Sequence, residues 1–237
     1  MNRNLLRASC RGAVALAGMG LLIALTPGLA SAAQDLCVST NGTVRVQMGT
    51  ATCSSVAGRG NVAIARGTSS SATAGFSDGD QRNRARASGD NSLAFTGIGS
   101  GNTATATGDG SFASAALGND NTATASGTDS GATAEGTNQT AIASGVNGSA
   151  VARFGENSTA TAAGDNSFAN ANGGNNNIAT ATGDNSEALA VTGNNNTATA
   201  SGDNSSATAS DGDNNTATAS SPNCTAVATG GGATDSC

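Results

Sequence analysis

One tripeptide, A-x-A, recurs along most of this chain at steps that alternate between 9 and 10 residues. Ala104 and Ala123, then Ala160, Ala179, Ala198 and Ala217, mark the full period of 19 residues, with one shortened step near Ala141. Two glycine columns keep the same phase. One runs Gly89, Gly108, Gly127, Gly145, Gly164, Gly183, Gly202; the other runs Gly99, Gly118, Gly136, Gly155, Gly174, Gly193, Gly212. A fixed period of this length is the signature of a stacked repeat. Within each half-unit the residues alternate, as in Thr103-Ala-Thr-Ala-Thr107 and Phe168-Ala-Asn-Ala-Asn172. Alternation with period two puts Ala on one side of a strand and the intervening residues on the other. The segments between are turns: Gly164-Asp-Asn-Ser167, Gly183-Asp-Asn-Ser186 and Gly202-Asp-Asn-Ser205 after one strand, Gly193-Asn-Asn-Asn196 after the other. Gly and Asn are expected there because both tolerate a positive φ. The expected fold is therefore all-β: a β-solenoid of 19-residue coils, two short strands per coil, with Ala pointing inward.

Composition leaves little room for another ordered fold. Aromatics are 2 % of the chain, and Trp, Tyr and His are absent. A globular core packed to native density needs larger side chains. The remaining alternative is a disordered low-complexity chain, which has no reason to hold two phased glycine columns. An Ala interior contributes only about 0.8 kcal/mol per methyl-sized group buried. Stability must then come from long backbone ladders, stacked Asn side chains and capped ends, which solenoids require. Cys37 and Cys53 precede the array, and Cys224 and Cys237 follow it. Because the two ends of a long rod cannot meet, the expected disulfides are Cys37–Cys53 and Cys224–Cys237. Between the first pair, Val38, Asn41-Gly42, Val44 and Val46 read as a hairpin with a favoured turn. The expected organisation is a leader over 1–33, a disulfide cap over 34–60, the solenoid over 61–220 and a second cap over 221–237.

The leader is read from Arg3, Arg7 and Arg11, the apolar run 12–25, and an A-x-A cleavage site at Ala30-Ser31-Ala32. The mature chain then begins near Ala33 or Gln34, is secreted or held at the cell surface, and has no membrane span. Export makes disulfides the default for its cysteines. Losing the leader leaves seven Arg against sixteen Asp and Glu, a net charge of −9. That balance disfavours nucleic acid and anionic lipid, which need a basic face.

The two sets of outward positions differ. One presents Thr103, Thr105, Thr122, Thr124, Thr159, Thr161, Thr180, Thr182, Thr197, Thr199, Thr216 and Thr218, interrupted by Ile142 and Ile178, with Arg84 and Arg86 at the N-terminal rim. Thr is a favourable outward strand residue, and this T-x-T array also resembles the ice-binding faces of hyperactive antifreeze solenoids. The other set holds Leu93, Phe95, Phe112, Val151, Phe168 and Leu189 beside Glu135, Arg153, Asn170 and Glu187. If these apolar side chains point outward, they form a stripe suited to a homo-oligomer or to docking on another envelope component; alternatively, some Phe rings turn inward at the corners. Asp165, Asp184 and Asp203 share one turn position. They are either solvated or, as oxygen ligands, candidates for calcium, although the G-G-x-G-x-D calcium repeat is not matched. No other cofactor is expected.

The motif G-x-N-S-x-A, as in Gly89-Asp-Asn-Ser-Leu-Ala94 and Gly155-Glu-Asn-Ser-Thr-Ala160, resembles the head repeats of YadA-like trimeric adhesins over residues 61–220. That resemblance implies a left-handed β-roll binding a matrix or cell-surface component, although those heads use a shorter repeat. Enzymatic function is not expected: without His, no Ser–His or Cys–His pairing can form. The expected function is a non-enzymatic structural repeat protein acting in adhesion or envelope structure through an extended face. Ice binding through the T-x-T face and a functional-amyloid-type fibre subunit are the alternatives.

Overall fold

The computed structural model describes residues 35–237; the leader expected over 1–33 lies outside them. Residues 35–237 lie within one compact unit. Every regular element among the described residues is a β-strand, and the strands lie in one sheet of twelve and one of ten. Beyond an N-terminal hairpin the chain visits the two sheets alternately, so neighbouring strands in a sheet come from successive coils and run parallel. The pairing separation is 19 residues at most steps, as for Thr197 opposite Thr216. It is 22 from Val62 to Arg84, where the sequence carries its insertion.

The interior is almost entirely methyl groups. The buried apolar residues are Ala from 63 to 228, joined by Cys37, Ala51 and Cys224 at the ends. Ala faces Ala in register through the stack, as in Ala104, Ala123 and Ala141. No Phe belongs to this core, so the rings whose direction the sequence left open point outward. The space between two sheets of Ala side chains has no room for an aromatic ring.

Polar groups complete the interior, and they do so differently at the two corners. Immediately before nine strands of the twelve-stranded sheet lies a buried amide or hydroxyl: Asn61, Asn83, Asn102, Asn121, Gln139, Ser158, Asn177, Asn196 and Asn215. Each oxygen accepts the backbone N–H of the equivalent residue in the next coil, Asn83 from Asn102 at 3.0 Å and Asn177 from Asn196 at 3.0 Å. Most side-chain N–H groups of these Asn donate to a turn carbonyl, as Asn102 does to Gly118 at 2.8 Å. The ladder runs unbroken from Asn41, which accepts from Gly60 and Asn61, to Asn215, which accepts from Gly231 and Ala233. At the short coil, Gln139 replaces Asn and reaches Ser158, whose short side chain in turn accepts from Asn177. A longer side chain followed by a shorter one keeps the ladder continuous where a residue is missing.

The opposite corner uses serine. The hydroxyls of Ser92, Ser111, Ser130, Ser167, Ser186 and Ser205 each donate to the glycine carbonyl three residues earlier in the same turn. In G-D-N-S the left-handed conformation falls on Asn (Asn166 φ 54°, Asn185 φ 55°), and the first glycine has no positive φ. Its absence of Cβ serves stacking instead: a side chain on Gly164 would overlap the carbonyl of Gly183 in the next coil. In the last coil no further coil follows, and this position is Ser221. The sequence expectation that this column supplies φ > 0 is thereby corrected; the requirement is close approach between coils. In the other column Gly174 meets both demands, with φ 133° and the Gly193 carbonyl against it.

Both expected disulfides are present, Cys37–Cys53 with Cα atoms 5.5 Å apart and Cys224–Cys237 with Cα atoms 6.1 Å apart. Such cross-links belong to an oxidising compartment. At the N-terminus β1 (Leu36–Thr40) and β2 (Thr43–Met48) form the expected hairpin, with Asn41 and Gly42 both at positive φ. The third strand, β3 (Thr52–Ser55), starts the ten-stranded sheet. The fourth, β4 (Val62–Arg66), pairs antiparallel with β1, so the hairpin reverses the chain and closes the stack. Among the described residues, no helix is long and apolar enough to cross a membrane.

Candidate functional surfaces

An interior of methyls and paired amides leaves the two outer sheet faces as the surfaces that can act. On the twelve-stranded sheet, pairing places Thr103, Thr122, Thr140, Thr159, Ile178, Thr197 and Thr216 in one rank. A second rank holds Thr105, Thr124, Ile142, Thr161, Thr180, Thr199 and Thr218. Parallel pairing repeats at about 4.8 Å, and residues two apart on a strand are about 6.6 Å apart. The Thr side chains are half-buried, and Ile178 stands out at 43 % exposure. Eleven of the twelve Thr residues singled out in the sequence lie in these two ranks. Thr182 lies one step further along its coil, because Ile178 occupies the first outward position of that strand.

The ten-stranded sheet carries a mixed surface. Leu93 and Phe112 are adjacent in one rank and more than one-third exposed. Phe168 follows further along that rank, and Phe95, Val151, Asn170 and Leu189 occupy the next, all half-buried. Glu135 pairs in register with Arg153, whose Nε lies 3.3 Å from Glu135 Oε2. Glu187 stands exposed beside Phe168. The apolar members therefore form an interrupted stripe.

A column the sequence reading passed over lies at the corner that follows this sheet. Phe76, Ile98, Leu117 and Phe154 are 48–68 % exposed. Leu117 and Phe154 both have φ 54°, a conformation that costs an ordinary L-residue roughly 1–2 kcal/mol; Gly173 holds the same place in the next coil with φ 72°. Each of the four apolar residues stands four residues after the first Ala of its strand, Ala72, Ala94, Ala113 and Ala150, a spacing that could have revealed the column.

The turn carboxylates bond to backbone. Asp184 Oδ1 accepts the amide of Asp165 at 2.9 Å, Asp203 Oδ1 that of Asp184 at 3.1 Å, and Asp165 Oδ1 that of Val146 at 2.9 Å. Each calcium candidate thus ties its own turn to the preceding coil, and among the described residues no three Asp, Glu, Cys or His side chains converge on one point. Asp80, at the insertion, accepts from Phe76, Ser77 and Gly99. Burial alone would raise its pKa; the three backbone N–H groups outweigh that and hold it below the ordinary value of 3.8.

Comparison with protein-family models, with curated proteins and with solved structures gave no match to this chain.

Proposed function

We propose that this is an exported, non-enzymatic structural repeat protein that acts in adhesion or envelope architecture through an extended face of its solenoid. The observation that carries this reading is the outward placement of Leu93, Phe95, Phe112 and Phe168 on a rod whose core needs none of them. Exposed apolar stripes mark contact with a partner, here a cell-surface or matrix component or a second copy. The G-x-N-S-x-A likeness to adhesin heads agrees with it at the level of the motif. The test is adherence of the mature chain to matrix-coated and cell-envelope surfaces. Phe95→Ser combined with Phe112→Ser and Phe168→Ser should abolish retention while circular dichroism stays unchanged. Equal retention by that variant would overturn the reading.

The Thr ranks favour a second reading, ice binding, because seven successive coils present the same two outward positions in register. Its test is thermal hysteresis of the mature chain. Thr161→Tyr and Thr199→Tyr should each remove it, and an absence of hysteresis in the unaltered chain would dismiss the reading.

A further inference from the structure

The net charge of the mature chain conceals an uneven distribution. Residues 35–86 hold six of the seven Arg and only three acidic residues; residues 87–237 hold Arg153 and thirteen acidic residues. The first part is therefore +3 and the remainder −12.

The twelve-stranded sheet displays this division on its outer face. The Thr ranks end at the strand Arg84–Ala87, and the four strands at the N-terminal edge present other side chains. One rank reads Arg86, Ile64, Val38, Val46 across the paired strands. The rank beside it ends in Arg66, Leu36, Met48. Arg84 heads the third rank, and Arg45 reaches the same face, its Nε donating to Thr40 Oγ1 at 3.1 Å. Arg45, Arg66, Arg84 and Arg86 are all exposed, and Met48 is 45 % exposed at the sheet edge. No outward position of these four strands holds a carboxylate. Aliphatic side chains surrounded by guanidinium groups on a flat surface match the two components of a lipid interface, acyl boundary and anionic headgroups. A soluble polyanion would engage the Arg residues and leave the aliphatics without a role.

We propose that the N-terminal edge of the twelve-stranded sheet, strands β2, β1, β4 and Arg84–Ala87, docks on an anionic lipid surface. Peripheral contact of this kind is separate from the adhesive reading, which concerns the other sheet.

Sedimentation of the mature chain with vesicles tests this. Binding is expected to phosphatidylglycerol–phosphatidylcholine vesicles and not to phosphatidylcholine alone. Basic residues near an anionic membrane contribute enough that Arg66→Ser, Arg84→Ser and Arg86→Ser together should lower partitioning roughly 100-fold. Met48→Gln should weaken it with no change in charge. The Phe95/Phe112/Phe168 variant should bind vesicles like the unaltered chain, which separates this proposal from the adhesive one. No binding to anionic vesicles would overturn it, as would equal binding by the triple Arg variant. Equal affinity for a soluble polyanion together with indifference to Met48→Gln would also overturn it, because the face would then be a charge site without a lipid component.

Discussion

The two corners of each coil bury polar groups by different means. At the serine corner the hydroxyl bonds within its own turn, as Ser186 does to Gly183 at 2.6 Å. At the asparagine corner the amide bonds across coils, as Asn177 does to Asn196 and Gly193 at 3.0 and 2.8 Å. The buried hydroxyl closes its own coil, and the buried amide joins one coil to the next; at the serine corner exposed carboxylates bridge coils, as Asp184 does to Asp165. The backbone ladders of the sheets also join coils, but they demand no side chain. The asparagine ladder is thus the continuous buried one, where side-chain identity is tied to coil length, and equal coil length is what keeps the outer ranks in register. The substitution of Gln139 and Ser158 at the one short coil agrees with this division, since compensation appears at the joining corner.

Removing a joining group should have the largest effect. Asn177→Ala would leave the buried N–H of Asn196 and the carbonyl of Gly193 without these partners. At about 1–3 kcal/mol for each unsatisfied group, the expected loss is about 4 kcal/mol, read as a lower denaturation midpoint. Removing a closing group should cost less. Ser186→Ala deletes one donor and orphans no amide of another coil, so a loss of about 1 kcal/mol is expected in the same experiment. If both substitutions cost the same, the division between the corners is lost.

A smaller effect concerns acid. Asp80 substitutes for the usual glycine at the insertion and holds three N–H groups as an anion. Its folded pKa is depressed, so its contribution is complete above the ordinary value of 3.8 and fades as pH falls below that value toward the folded one. Protection of the Ser77 and Gly99 amides, taken relative to their intrinsic exchange rates, should fall in that range in the unaltered chain. In Asp80→Asn the same amides should lack that protection at neutral pH as well, with little further change on acidification.

Much of the fold was legible because its rules are periodic. The A-x-A spacing gave the coil length, and alternation gave the inward Ala. The cysteine positions gave both disulfides, because the ends of a rod are far apart. What the sequence hid was the division of labour among identical residues. In Gly193-Asn-Asn-Asn196, Asn194 accepts from the preceding coil's Asn175, Asn195 adopts φ 58°, and Asn196 enters the ladder. Composition treats the three alike; only column position separates them. The Phe rings remained ambiguous because alternation assigns a face but does not say how much space the interior leaves. The basic N-terminal edge was obscured by summing charge over the whole chain, although Arg66, Arg84 and Arg86 were visible at outward positions.

Hydrogen exchange resolved by residue, comparing Asn177→Ala with Ser186→Ala, addresses the joining role of the asparagine corner most directly. In Asn177→Ala the amide of Asn196 should lose protection, and amides of the coils on both sides of the break should follow. In Ser186→Ala the loss should stay within the turn 183–186. Local loss of protection in both variants, or protection of Asn196 unchanged in Asn177→Ala, would contradict the view that this ladder binds the coils together.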